Sequence, residues 1–313
     1  MTGQMTVLLN QMMIFAILMA VGFAAAKAKV ITREGLHALS ALIVKVILPA
    51  LIFSIIAGSG VTIHEFFISG RFAAGVLLCY SLLILTAFAM GRFLKLGGTT
   101  GNVFVALASF GNMGFMGIPL IQAVFKEPVA QVCISVYTLV DMALLWTLGV
   151  YLCSRHQKDA STLKAVRNLV NPTTVALLAA FMILILRIPV PGLLMDTISG
   201  IGGTSKYLTL IYLGGSLAFV QIRHIHRKPN IFVLTGVKML VLPVVAYILL
   251  GFFLPQVPRT ILTLIVGLPA MTTVAMVAKS YGSDDVYATE VIFVTTLCSL
   301  VTIPAVNALT HLL

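Results

Sequence analysis

Gly111-Asn112-Met113-Gly114-Phe115-Met116-Gly117-Ile118-Pro119 interrupts an apolar stretch that runs from Val103 to Phe125. Gly267-Leu268-Pro269-Ala270-Met271-Thr272-Thr273 interrupts a second, from Ile261 to Lys279. Glycine and proline inside an apolar span unwind helix and free backbone N–H and C=O groups. Hydrocarbon cannot satisfy those groups, so such breaks persist only where protein buries them or where they line a wet cavity. Two of them in corresponding halves of one chain point to the substrate site of a secondary transporter.

Working outward, the 313 residues are 60% hydrophobic and only 9% charged, too few polar residues to cover a water-soluble surface. The mean hydropathy of +1.09 agrees. Windows of about 20 apolar residues predict ten spans. The first five are Val7–Ala26, Leu36–Ala57, Ile68–Met90, Val103–Phe125 and Val129–Cys153. The others are Leu169–Leu186, Thr204–Val220, Ile231–Leu254, Ile261–Lys279 and Val286–Leu309. Met12–Ala26 ends in small residues like a signal peptide, but no Lys or Arg precedes Lys27, so it reads as a first transmembrane helix.

The net charge of +11 belongs to the loops between spans and not to a nucleic-acid surface. Thirteen Lys and Arg lie after odd-numbered spans and five after even-numbered ones. That bias puts the odd loops in the cytoplasm and both termini outside, in a multi-pass protein of the cell membrane. Five spans per half is an odd number, so the halves enter the bilayer in opposite senses. The expected units are a first repeat at 1–153, a short basic linker at 154–168 and an inverted repeat at 169–313. Broken spans four and nine then meet near the midplane, where helix N-termini favour an anionic group.

Other chemistries find little support. Cys79, Cys133, Cys153 and Cys298 lie in apolar segments without CxxC spacing and read as small core residues. His224-x-His226 is isolated in a basic loop with Arg223, Arg227 and Lys228, so neither metal nor cofactor is expected. No GxxxxGK[ST] phosphate loop, HExxH or nucleophile–base pair occurs, which argues against a pump or an enzyme. A channel needs a continuous polar path or charged ring, and a ligand sensor usually carries an additional soluble domain; both are weaker readings.

At these residues the chain resembles the auxin efflux carrier family, the bacterial relatives of the plant PIN exporters. The resemblance covers essentially the whole length. It rests on Gly111-Asn112 through Met116-Gly117-Ile118-Pro119-Leu120, and on Leu268-Pro269 followed by Ala278-Lys279-x-Tyr281. Leu48-Pro49-Ala50-Leu51-Ile52-Phe53, Asn171-Pro172, Gly214-Gly215-Ser216-Leu217-Ala218, Val291-Ile292-Phe293 and Thr302-Ile303-Pro304 support it. The resemblance implies an all-α membrane fold of two inverted five-helix repeats with crossing helices four and nine. It also implies a scaffold of spans 1, 2, 6 and 7 beside a transport domain that moves like an elevator. The cargo implied is a small organic anion such as malonate or malate, and family analogy adds a homodimer. Asn112 stands where plant members contact substrate. Asp141 stands where they carry glutamine, so auxin is not the expected cargo.

Asn112 is the first candidate for substrate contact, because its amide both donates and accepts. Met113, Gly114, Gly117, Pro269, Ala270, Met271, Thr272 and Thr273 complete the expected substrate site. Gly111, Pro119 and Pro269 are the expected helix breakers. Asp141 is the single carboxylate deep inside a predicted span, and ionisable groups at that depth commonly mark an ion or proton path. It is the coupling candidate, with proton coupling, sodium coupling and drive by membrane potential alone left open. Lys45, Lys238, Lys279 and Glu290 are the candidate charge partners. Lys45 and Lys238 are expected to snorkel to the interface, and Lys279 to pair with Asp141 or Glu290 or to anchor its helix.

Overall fold

The structure, a computed structural model, describes residues 2–58, 70–157, 172–220 and 222–312. Ile68, Leu169, Asn171 and the linker at 158–168 lie outside the described residues, as do the side chains of Arg223 and His224. Helices α1 (Thr2–Lys27), α2 (Arg33–Ala57) and α3 (Gly70–Phe93) come first. Span four is two helices, α4 (Gly98–Ser109) and α5 (Met113–Val124), and α6 (Pro128–Ser154) follows. Next are α7 (Pro172–Leu186), α8 (Gly192–Gly203), α9 (Ser205–Leu217) and α10 (Pro229–Leu250). Span nine is again two helices, α11 (Gln256–Val266) and α12 (Thr272–Ser280), before α13 (Asp285–Leu312).

Among the described residues, α1, α2, α3, α6, α10 and α13 are long and apolar enough to cross a bilayer. The shortest of these crossing segments, Pro229–Leu250, has 22 residues. At a rise of about 1.5 Å per residue, that spans the roughly 30 Å hydrocarbon layer. α5, α7 and α11 are shorter apolar helices. Helix α8 lies outside the predicted span seven, because Asp196-Thr197 and four glycines at 192, 200, 202 and 203 lower its hydropathy. It runs into α9 through a single turn in which the Thr204 N–H donates to Ile201 O at 3.2 Å.

Four prolines sit inside helices instead of ending them: Pro304 lies within α13, and one device accommodates the other three. Leu48-Pro49, Ile118-Pro119 and Leu242-Pro243 each follow directly on a π-helical turn, at Ile43–Ile47, Met113–Gly117 and Val237–Val241. Proline has no N–H for the carbonyl four residues back, and its ring crowds that carbonyl. Widening the preceding turn to i→i+5 bonds gives the ring room and lets the helix continue. Pro119 therefore lies inside α5 and is not a helix breaker; the break in span four is confined to Phe110–Asn112.

Packing pairs the halves crosswise. α1 packs on α9, and α2 packs on α7 and α8. α3 packs on α4 as α10 packs on α11, while α6 touches α11 and α13 touches α4. The α1–α9 contact is the tightest. A Cβ on Gly22 would lie 2.0 Å from the Ile211 carbonyl oxygen, and one on Gly214 would lie 1.9 Å from that of Met19. Small residues let the two backbones touch, as membrane helices require when lipid is as apolar as leucine.

Candidate functional site

The two interruptions meet and satisfy each other's backbone. Beyond α4, Phe110 turns extended (φ −102°, ψ 128°), and Gly111 pairs antiparallel with Ala270. The Asn112 N–H donates to Pro269 O at 2.8 Å, and the Met271 N–H to Phe110 O at 3.2 Å. This minimal ladder satisfies groups that would otherwise be orphaned in apolar surroundings. Asn112 (φ −76°, ψ 63°) forms an inverse γ-turn closed by Met113 N–H to Gly111 O at 2.8 Å. A Cβ on Gly111 would stand 3.2 Å from Leu268 Cβ and 3.3 Å from Ile265 O, so the close approach selects glycine. Thr295 of α13, which sequence reasoning missed, accepts the Ala270 N–H at 3.2 Å.

Four helix ends gather here: the C-termini of α4 and α11 and the N-termini of α5 and α12. Asn112 and Met271 are the N-cap residues, and neither side chain caps its own helix. First-turn N–H groups have no intrahelical partner, and two N-termini converge their partial positive charges. The Asn112 amide instead donates to Thr272 Oγ1 at 3.0 Å, tying the cap of α5 to the first residue of α12. Asn112 is 2% exposed, while Gly114 and Thr273 are half-buried. Gly114 faces Leu48 of α2, and Phe115 meets Tyr212 of α9 edge-on at 5.9 Å. The crossing thus looks onto α2 and α9. Met113, Gly117, Pro269, Ala270 and Met271 are buried, with Gly117 closely packed between Met113 and Leu268.

A second polar cluster lies directly behind the crossing. Lys238 was expected at the interface, yet it is fully buried and donates to Ala108 O at 2.8 Å and Phe110 O at 3.2 Å. Its π-helical turn (Val237–Val241) sits against α13 in the protein core, so snorkelling is not open to it. The ammonium rests on the C-terminal carbonyls of α4, where the helix dipole is negative. Lys238 and the fully buried Asp141 carboxylate interact electrostatically without forming a direct ion pair. The Tyr80 hydroxyl donates to Asp141 and shares a 2.9 Å hydrogen bond with the Tyr137 hydroxyl. Tyr80 also stacks on Tyr137 at 5.6 Å and leans on Phe110 at 6.0 Å. The Phe110 carbonyl, shared by Lys238 and the Met271 N–H, connects this cluster to the crossing.

The remaining charge candidates are placed elsewhere. Lys45 and Lys279 are exposed. Glu290 is buried, and among the described residues its partner is Lys228, which also lies over the Tyr287 ring at 5.7 Å. Lys279 therefore pairs with neither Asp141 nor Glu290: it ends the exposed C-terminus of α12 while Lys228 covers the carboxylate.

A model of the family described as membrane transport protein matches residues 7–164 and 157–306. The chain belongs to that family. It is the auxin efflux carrier family, whose members are transporters and not enzymes, and the match in two successive segments agrees with a repeated architecture. Among curated proteins none matches the chain. For a membrane transport protein, the Tyr80–Asp141 bond is a sensitive point, because a hydrogen bond to a buried carboxylate has no water to replace it. Tyr80→Phe is expected to cost roughly 1.5–3 kcal/mol, read as a lower midpoint of thermal unfolding in detergent.

Proposed function

We propose that this membrane transport protein is a secondary carrier of a small organic anion, a mono- or dicarboxylate of the malonate or malate kind. The carrying observation is the crossing itself: two uncapped helix N-termini beside Asn112, with Gly114 facing Leu48 of α2 and Phe115 against Tyr212 of α9. A carboxylate offers several acceptor lone pairs, and convergent N–H groups at helix starts meet them without a basic side chain. Asn112 adds a neutral amide at the same place. The backbone ladder that closes each break favours a gated site over a continuous pore.

The crosswise packing supports ten spans arranged as two inverted repeats, 1–153 and 169–313, joined by a short linker. On this reading α1, α2 and α7–α9 form the scaffold. Helices α3–α6 and α10–α13 carry the crossing across the cell membrane as an elevator, with both termini outside. The homodimer follows from family analogy alone.

Counterflow in proteoliposomes tests the proposal. Internal unlabelled malonate or malate is expected to accelerate entry of the labelled acid, with saturation. Asn112→Ala is expected to weaken apparent affinity by one to two orders of magnitude, about 1.5–3 kcal/mol for a hydrogen bond to a charged group. Ohmic, non-saturating flux, or an unchanged affinity in Asn112→Ala, overturns the reading.

A further inference from the structure

Two buried main-chain carbonyls behind the crossing already hold a cation, the Lys238 ammonium. The Ala108 and Phe110 carbonyls converge on the Lys238 ammonium from the C-terminus of α4. Asp141 supplies the countercharge, its Oδ1 bound by the Tyr80 hydroxyl and its Oδ2 without a hydrogen-bond partner. One turn earlier on α6, the Thr138 hydroxyl is also buried without a partner. Unwound carbonyls and half-helix C-termini at a transporter midplane are the groups that coordinate a coupling sodium ion. Hard cations take carbonyl, carboxylate and hydroxyl oxygens of this kind. Here a covalently tethered ammonium meets two such carbonyls, and the Asp141 carboxylate supplies charge without touching it.

We propose that Lys238 is a resident cation that takes the place of a coupling sodium ion, so that transport and folding of this protein are independent of sodium. With Lys238 in place the Asp141 charge is balanced, and both carbonyls are already engaged by the ammonium. Replacing the lysine by alanine removes the ammonium and its stem while leaving the carbonyls and the Asp141 charge. The vacated oxygen set then carries one uncompensated negative charge in a dry interior, which favours recruitment of a small cation. Asp141→Asn combined with Lys238→Ala removes that charge and the reason for a cation to enter.

The inference rests on the carrier reading for its role in transport, but sodium binding is read without any substrate. Thermal unfolding of purified wild-type, Lys238→Ala and Lys238→Ala/Asp141→Asn proteins is measured in sodium chloride and in choline chloride at equal ionic strength. The wild-type and double-variant midpoints are expected to be the same in both salts. The Lys238→Ala midpoint is expected to rise in about 100 mM sodium by roughly 2–4 °C or more, the shift of a ligand well above its dissociation constant. Malonate uptake by Lys238→Ala is expected to be at least tenfold faster in sodium than in choline. A wild-type protein that sodium stabilises overturns the inference. So does a Lys238→Ala protein that is insensitive to sodium, or one that fails to fold in either salt, since sodium should replace the ammonium. If wild-type carries no carboxylate in any salt, the carrier reading fails, and the unfolding midpoints still decide the question of the resident cation.

Discussion

Asp141→Asn is expected to be among the most damaging single substitutions in this protein, although Asn and Asp have nearly the same shape. It leaves the Lys238 ammonium buried without a countercharge, and breaking a buried charge couple from one side typically costs about 3–5 kcal/mol. In a chain of this size that corresponds to a drop on the order of 10 °C in the unfolding midpoint. Adding Lys238→Met to Asp141→Asn removes the orphaned charge and fills most of its volume, so stability is expected to recover by more than half. A double-mutant cycle built on these variants isolates the coupling. Additive losses in the double variant would mean that the two groups act independently. Activity is not expected to recover with stability, because the Phe110 carbonyl loses the donor that holds it beside the Met271 N–H.

The other large effect is expected far from the crossing. Gly214→Leu places a branched side chain where even a Cβ would lie 1.9 Å from the Met19 carbonyl oxygen, and α1 and α9 have to separate along their length. Overpacking commonly costs about 1–3 kcal/mol and occasionally more. Here the obstacle is backbone, which cannot rotate away, so the upper end is expected. Size-exclusion chromatography in mild detergent is expected to show aggregate or no recovered protein. Gly200→Leu, at a position where nothing stands within 4 Å of the added Cβ, is expected to elute like wild-type. Equal yields of the two variants would show that the α1–α9 contact does not hold the fold together.

Much of this architecture was legible in the sequence because membranes impose a coarse rule. Apolar windows located the helices, and glycine with proline located the two interruptions that meet through Gly111 and Ala270. What stayed hidden has specific causes. Pro119 looks like a breaker in sequence, and only the π-helical turn at Met113–Gly117 shows how a proline can continue a helix. Helix α8 was masked by its own glycines and Asp196. Lys45 and Lys238 carry the same local pattern, a lysine in an apolar span shortly before Leu-Pro, yet one is exposed and the other fully buried. In helices that are apolar almost all round, periodicity does not say which face meets protein and which meets lipid. The partners Tyr80 and Thr295 come from spans, and Lys228 from a loop, distant in sequence from the groups they meet, so nothing local pointed to them.

A side-chain-resolution map of the protein in a lipid nanodisc, with malonate at saturating concentration, tests the central claim most directly. The account predicts that span four breaks at Phe110–Asn112 and span nine at Gly267–Met271. It also predicts malonate density within hydrogen-bond reach of Asn112 and of the first-turn N–H groups of α5 and α12. Malonate bound away from the crossing, or residues 103–125 seen as one unbroken helix, would contradict it.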